Sequence, residues 1–480
     1  MQKINHLPPK HGVWDLRDYQ VEDLAFYIPN ERVANLSDPG TGKTPSVCKL
    51  FQFVWEYLNG RSIWSMPKSL LGKNRDEILQ FTDFQPEEVA ILDGTPKQRE
   101  KILTNKDIKV FLMGFKRFGD DWERILQFHP DIKLHAVDEI HLGFGGHNSQ
   151  RTQSLYRSSR KIERFLPMTG TLINGRLDSA YPTLHIIEPR YYFSWQAFQN
   201  YHAYFDEWGA IIGWKNHDRL GRIIERHSIR RTFEEIFGEQ EVVYEHRTCE
   251  MSPRQRKAYI EFEKEGLLEL EEDFLDGSSA GVHAIRCRQI MANPEKFDLT
   301  KGEPTGKDEQ LLIDIADHKN TGEPLLIFGV FDLELRRTVD LCRKMGLRTE
   351  LINGTISAKK RAEIDVKFRQ GKLDCVAASA ETASVGYNWA HIDHTIFLSI
   401  DYKDSNFVQA VRRAIRGKRK RPLRVSIYQY ARSMDQRIFQ VVDAKSDSQN
   451  KVDGSYKKLN LSKTNAEVNV ETPIGADMFI

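Results

Sequence analysis

The sequence predicts an α/β protein built from two parallel-sheet lobes joined by a mostly helical region, and three observations predict it. Short apolar runs alternate with helical patterns in two separate blocks, the rhythm of repeated βα units. A Gly-rich loop, Ser37-Asp-Pro-Gly-Thr-Gly-Lys-Thr44, stands between one such run and one such helical pattern. The chain of 480 residues also exceeds what one core ordinarily holds, since domains run to roughly 100–200 residues.

In the first block, residues 1–190, Arg32–Leu36 reads as a strand that runs into the Gly-rich loop. From Thr44 onward the sequence TPSVCKLFQFVWEYL places apolar side chains at helical spacing. Ser62–Met66, Ile108–Met113 and Leu134–Val137 read as further strands. Residues 191–300 turn helical and charged. FEKEGLLELEEDFL, from Phe262 to Leu275, is their plainest helix, with a solvated charged face. The α/β rhythm returns over 301–443, with strands expected at Pro324–Gly329, Arg348–Ile352, Leu373–Ala378 and His394–Leu398. Residues 444–480 are rich in Ser, Asn, Lys and Asp, the composition of a flexible tail. Its apolar tip, Gly475–Ile480, is a candidate docking peptide for a protein partner.

Composition bounds the function. With 40% hydrophobic and 29% charged residues the chain is an ordinary globular one, too rich in large apolar side chains for disorder. The 70 basic and 68 acidic side chains leave a net charge of +2, so contact with nucleic acid or an anionic membrane must come from local patches. Cys48, Cys249, Cys287, Cys342 and Cys375 are odd in number and contain no C-x-x-C pair, against both a disulfide framework and a zinc site. A reducing, cytoplasmic setting fits that cysteine usage. The beginning MQKINHLPPKHGVW has no apolar secretion segment, and no run approaches the ~18 apolar residues of a membrane span.

The Gly-rich loop carries the first chemistry. Pro39, Gly40, Thr41 and Gly42 bring backbone N–H groups to a phosphate, Lys43 adds a point charge on the terminal phosphates, and Thr44 offers a hydroxyl to Mg²⁺. A nucleotide is the expected ligand. Asp138-Glu139 follows a short apolar strand. Alone, such a pair is usually a surface feature. Beside a phosphate loop it places Asp138 at the Mg²⁺ and leaves Glu139 to orient and deprotonate water.

The order of motifs resembles that of superfamily-two helicases, and more closely their Swi/Snf-type branch, over about residues 14 to 440. Leu16-Arg-Asp-Tyr-Gln20, Pro67-Lys-Ser-Leu-Leu71, Asp138-Glu-Ile-His141 and Met168-Thr-Gly-Thr-Leu-Ile-Asn174 resemble successive motifs of the first lobe. The branch is indicated by Ser228-Ile-Arg-Arg-Thr232, Met251 through Tyr259 and Arg286 through Pro294. Gly306-Lys307 and Leu326-Ile-Phe328 resemble the start of the second lobe. Asn353-Gly-Thr355, Arg361–Phe368, Ala383–Trp389 and Gln409-Ala-Val-Arg-Arg-Ala-Ile-Arg416 complete the series.

That resemblance implies two RecA-like lobes. It implies that Arg17 and Gln20 hold the adenine, that Gln409 belongs to the nucleotide site, and that Arg413 and Arg416 reach across the cleft to the triphosphate. Thr169, Gly170 and Thr171 would couple nucleotide state to DNA. The chain departs from the family in Ile140-His141, in Gly386-Tyr-Asn-Trp389, in Asn74 and in the basic run Gly417-Lys-Arg-Lys-Arg421, a candidate phosphate contact.

The implied function is a monomeric, ATP-dependent translocase on double-stranded or branched DNA, acting away from membranes in recombination, repair, fork remodelling or displacement of bound proteins. Two alternatives stand beside it: a helicase that separates DNA or RNA strands, and a non-enzymatic ATP-gated clamp. The linear sequence holds no evident row of base-stacking aromatics, which disfavours tracking on a single strand.

Overall fold

The computed structural model describes residues 16–439, apart from 171, 174–176, 239–240, 266, 270–273, 277–279, 301, 384–386, 402–403, 416–418 and 420. Arg416, Thr171, Asn174, part of Ala383–Trp389, part of the basic run and the whole 444–480 tail with its apolar tip therefore lie outside the described residues.

In the first lobe the strands are β1 (Ala34–Asn35), β2 (Arg61–Met66), β3 (Val89–Ile91), β4 (Val110–Gly114), β5 (Ile132–Val137) and β6 (Arg164–Pro167). The sheet runs β3-β4-β2-β5-β6 with every pairing parallel. Bridges from Arg32 to Phe165 and from Asn35 to Met168 set β1 beside β6. The central strands are covered on both faces, which is why they read as continuous apolar runs. Alternation along β2 sends Trp64 into one core with Val47 and Phe51, and Ile63 into another with Phe118 and Ile125. The helix Lys43–Leu58 buries Val47, Leu50, Phe51 and Val54, an i, i+3, i+4, i+7 stripe, on the first of these faces.

Residues 191–300 are divided between the lobes. The hairpin β7 (Ala203–Phe205) and β8 (Ile211–Trp214) and the helix His217–His227 lead into β9 (Ser228–Ile229), which pairs in parallel with β1. The next strand, β10 (Val242–Cys249), lies along the second sheet instead. Helices Pro253–Glu265 and Ala280–Ala292 follow it there, with Tyr259, Phe262, Cys287 and Ile290 in the second lobe's core.

One expected helix is corrected. The pattern FEKEGLLELEEDFL is helical only to Glu265, and Leu267–Glu269 (β11) then pairs antiparallel with Phe274–Asp276 (β12). Gly266 in that sequence is a residue type that costs a helix interior about 1 kcal/mol relative to Ala.

The second lobe adds β13 (Leu325–Gly329), β14 (Thr349–Ile352), β15 (Cys375–Ser379), β16 (His394–Phe397) and β17 (Leu423–Tyr430). Its order is β10-β17-β16-β13-β15-β14, again parallel throughout. Among the described residues no helix is long and apolar enough to cross a membrane.

Candidate nucleotide site between the lobes

The C-terminal ends of β1, β5 and β6 converge, and the phosphate loop rises from the first of them. Gly40 and Gly42 have φ of 90° and 81°, the left-handed region that lets the loop turn its amides inward before the helix at Lys43. The helix N-terminus adds its partial positive charge at the same point. Lys43 Nζ donates to the carbonyls of Ser37 at 2.7 Å and Asp38 at 3.2 Å, so the ammonium is held over its own loop. Burial lowers its pKa, while Glu139, Asp138 and Asp38 pull it up and Arg413 pushes it down.

The motif preceding the first helix closes the loop from the other side. The Gln20 amide donates to Gly42 O at 2.9 Å and accepts from the Arg17 backbone N–H at 2.9 Å, while the Tyr19 hydroxyl donates to Thr41 O at 2.6 Å. Arg17 itself is exposed, its guanidinium 5.5 Å from the Phe237 ring centroid. Gln20 is thus brought to the loop, and Arg17 stands at its rim against a residue from beyond β9.

Asp138 and Glu139 lie at the end of β5. The Asp138 N–H donates to Ser65 O at 2.8 Å, which fixes the turn to the neighbouring β2. Burial, and next the Glu139 carboxylate, raise the Asp138 pKa to about 6, against the pull of Lys43 and Lys73. Glu139 has φ 49°, a left-handed conformation that costs a non-Gly residue of order 1–3 kcal/mol. Its Oε2 is buried without a hydrogen-bond partner among the described residues. A strained backbone and an unsatisfied carboxylate oxygen are what a group aimed at a ligand or water would show.

His141 Nδ1 lies 3.6 Å from Glu139 Oε2 and 2.8 Å from Thr169 Oγ1, and burial lowers its pKa to about 4, so it is a neutral link at pH 7. Gly170 continues the link: a Cβ there would come within 2.5 Å of Pro39 Cδ, so the loop after β6 lies directly on the phosphate loop.

The second lobe reaches the same place through the helix Asp404–Ala414. Arg412 Nη1 pairs with Asp38 Oδ1 at 2.8 Å, their side chains 13% and 4% exposed, and Asp38 Oδ2 also accepts the Phe233 N–H at 3.1 Å. Arg413 and Gln409 are buried on that helix, and Arg413 is near enough to shift Lys43.

Sequence reasoning missed Asp38 and Arg412. The signal for Arg412 was present, because Gln409, Arg412, Arg413 and Arg416 fall at i, i+3, i+4 and i+7, one helical face. Of the two described arginines of the basic run, Arg419, its side chain 5% exposed, donates to the Ile392 carbonyl at 2.8 Å and pairs with Asp393, so it ties the lobe's own loops together, whereas Arg421 pairs with Glu323 with its side chain 68% exposed.

The residues fit a magnesium nucleotide. Inward amides and Lys43 suit phosphates, and the Thr44 hydroxyl with the Asp138 carboxylate are the hard oxygen donors Mg²⁺ takes alongside phosphate oxygens and water. A phosphate loop and acidic pair on one parallel sheet, met by arginines from a second, define a two-lobe phosphate-loop NTPase of the superfamily-two helicase class.

Comparison with known proteins narrows the class. Residues 19–296 match the SNF2-related domain and residues 307–418 the helicase conserved C-terminal domain. The chain belongs to the SNF2-related family. It is 23% identical over 446 residues to the zebrafish (Danio rerio) chromodomain-helicase-DNA-binding protein 1-like, covering 86% of this chain and 41% of that one. It is also 23% identical over 488 residues to the chromatin structure-remodeling complex subunit snf21 of Schizosaccharomyces pombe, covering 91% and 39%. The chain spans less than half the length of these curated relatives. Among solved structures, the Pyrococcus furiosus Hef helicase domain shares the fold, with TM-score 0.51 and 13% identity over 88% of this chain and 97% of that one. The Sulfolobus solfataricus SWI2/SNF2 ATPase core in complex with dsDNA aligns at TM-score 0.43 and 17% identity, over 95% and 97%.

Proposed function

We propose that this chain is an ATP-driven motor that moves along double-stranded DNA. The observation that carries the reading is the docking of the Asp404–Ala414 helix on the phosphate loop, with Arg412 on Asp38 and Arg413 beside Lys43. A site completed only by the second lobe ties hydrolysis to closure of the cleft, and a polymer gripped by both lobes is then moved at each cycle.

In this reading Lys43 and the loop amides hold the β- and γ-phosphates of ATP, and Gln20 with Arg17 borders the base. Thr44 and Asp138 would hold Mg²⁺, which when bound would supply positive charge beside the phosphates. Glu139 accepts the proton of the attacking water. Arg413, joined by Arg416, stabilises the charge that develops on the transferring phosphoryl group. The path from Glu139 through His141 to Thr169, and from Gly170 to Pro39, carries the nucleotide state to the loop after β6. The relatives' names, one a helicase-DNA-binding protein and one a chromatin-remodelling subunit, support DNA as the polymer. A monomer acting on duplex or branched DNA in recombination, repair, fork remodelling or protein displacement is the matching role.

The test is steady-state ATP hydrolysis without nucleic acid and with blunt duplex, single-stranded DNA, forked DNA or RNA, at two salt concentrations. Strong stimulation by blunt duplex that fades with salt is the expected result, and triplex displacement then measures movement. Stimulation by single strands or RNA alone overturns the duplex motor in favour of a strand-separating enzyme, and no hydrolysis under any condition favours the clamp.

A further inference from the structure

The hairpin β7–β8 presents a tryptophan to solvent on a turn built to hold it there. Trp208 is 91% exposed, the highest value among the exposed large hydrophobic residues, yet the turn beneath it is tied. Asp206 Oδ1 accepts the N–H groups of Trp208 at 2.9 Å and Ala210 at 2.7 Å, and the Asp206 N–H donates to Ala210 O at 3.0 Å. Gly209, at φ 80°, completes the reversal. An ordered turn that leaves an indole in water gains nothing from that side chain in the isolated chain.

A cationic face adjoins it. On the helix His217–His227, Arg219, Arg222 and Arg226 recur at i, i+3 and i+7, all exposed, and none pairs with a carboxylate among the described residues. The same helix turns Leu220 and Ile224 inward. The Arg219 guanidinium stands 5.6 Å from the Tyr191 ring and 5.1 Å from the Tyr201 ring, and Lys215 Nζ stands 5.2 Å from the ring of the exposed Tyr204. Cations and aromatic faces scattered along the sequence are thus interleaved on one surface.

We infer that this surface binds DNA where its bases are unpaired, the arginine face gripping the backbone and Trp208 stacking on a base. The inference rests on the DNA-motor reading and specifies the structure that motor engages. The tip itself is acidic: Asp206 is occupied by the turn amides, and Glu207 beside Trp208 is exposed. A phosphate is repelled there, while the flat, neutral face of a base is not, so the tip meets a base and the helix meets phosphates. Fully paired duplex offers no free base face, so the occupant is a single strand or the branch point of a fork.

The surface is wired to the nucleotide site. Phe198, Leu220 and Ile224 beneath it, with Trp214 of β8 packed alongside, share one core with Ala34 and Leu36, which lead into the phosphate loop, and with Leu172 and Ile173 after β6. A base seated on the hairpin therefore loads the elements that frame Lys43 and Thr169.

The experiment measures binding of the full chain to fluorescent blunt duplex, forked DNA and single-stranded DNA by anisotropy, for the parent, Trp208→Ala, Trp208→Phe and Arg222→Ala/Arg226→Ala. Trp208→Ala is expected to weaken fork and single-strand binding about tenfold while sparing blunt duplex, and Trp208→Phe to keep most of the affinity through its aromatic face. The arginine pair is expected to weaken all DNA contacts that reach the helix and to flatten the salt dependence of fork binding by about two in log–log slope. Duplex-stimulated hydrolysis by Trp208→Ala should match the parent, which also verifies its fold.

Unchanged fork binding by Trp208→Ala overturns the inference and leaves the tip to a protein partner. Equal loss on fork and blunt duplex overturns it too, because the tip would then touch backbone. A parent indifferent to all DNA overturns the motor reading itself, whereas a duplex-stimulated parent with an indifferent Trp208→Ala removes the hairpin assignment alone.

Discussion

The two lobes share one architecture, a parallel sheet covered by helices on both faces, and differ in the segment that follows β1 in the first and β13 in the second. In the first lobe β1 runs into Gly40, Gly42, Lys43 and Thr44 at a helix N-terminus. In the second, β13 runs through Gly329 into the helix Asp332–Lys344, whose first turn carries Asp332 and Glu334. A crevice of about 250 Å³ opens at that edge and is lined by Asp332, Glu381, Asp401 and Asn353. Asp332 there pairs with Arg336 and Asp401 with Arg288, and the helix start carries no lysine in the place that Lys43 holds in the first lobe. The lesson is that the fold supplies a crevice at the C-terminal ends of its strands, and the charges at one helix start decide whether it takes a nucleotide. The second lobe instead contributes through a different element, the Asp404–Ala414 helix, applied to its neighbour's loop.

The sharpest way to break this division is to remove one charge from each side. Lys43→Ala and Arg413→Ala should each lower kcat for ATP hydrolysis by about 10³-fold, the low end of what a cation on the transferring phosphoryl group contributes. They should differ in binding: Lys43→Ala weakens ATP affinity in a filter or fluorescence titration, whereas Arg413→Ala leaves it near the parent value. Equal loss of affinity in both would mean that the second lobe holds the nucleotide as well as acting on it.

The Asp38–Arg412 pair tests whether the lobes communicate through that contact. Removing one partner of a buried ion pair typically costs about 3 kcal/mol, because the other charge is left desolvated. Asp38→Ala and Arg412→Ala should each lower duplex-stimulated hydrolysis strongly, and the double variant should be no worse than either alone. Additive losses in the cycle would show that the two side chains work independently.

How much was legible in the sequence depends on how local each feature is. The strands β2, β4, β5, β13, β15 and β16 are buried on both faces and announce themselves as apolar runs, and the phosphate loop and Asp138-Glu139 are contiguous. β6 begins with Arg164 and ends with Pro167 and so does not read as a strand. It is buried because Arg164 donates to the carbonyls of Tyr27, Ile28 and Asn30. β17 alternates polar and apolar residues like a half-exposed strand, yet Ser426 bonds His394, and Tyr428 bonds Asp314, beneath covering elements. Asp38 on Arg412, and the gathering of Tyr191, Tyr201 and Tyr204 around cations, exist only after residues far apart in the chain are packed together.

A smaller effect separates the lobes by stability. Gly306 starts the helix Gly306–Thr321, and a Cβ there would lie 2.0 Å from the Glu250 carbonyl oxygen, whereas Gly72, in the helix Leu71–Phe81, has nothing within 4 Å. Gly306→Ala should therefore destabilise the second lobe by about 1–3 kcal/mol in urea unfolding. Gly72→Ala should stabilise the first by up to about 1 kcal/mol, since the added methyl meets no atom and Ala is the better helix former. A single transition that shifts identically for both changes would show the lobes unfolding as one unit.

The last effect is a pH dependence that both lobes share through buried histidines. His135 in β5 has its pKa lowered to about 3 by burial, with Ser65 Oγ 2.8 Å from its Nε2. His394 in β16 is lowered to about 2 by burial and by the neighbouring Arg424 and His318, with His318 Nε2 2.6 Å from its Nδ1. Both are neutral in the fold, while in the unfolded chain each takes a proton at about pH 6.5, so the unfolded state binds more protons as pH falls. Stability is therefore full above about pH 6.5 and declines below it, each histidine contributing a slope of about 1.4 kcal/mol per pH unit until its folded pKa is reached. Urea titrations between pH 7 and pH 5 should show the decline, and His394→Asn should flatten it relative to the parent over the same range. An unaltered slope in that variant would mean that His394 is protonated in the native lobe, its charge accommodated beside Arg424, and would leave His135 and the first lobe to account for the loss.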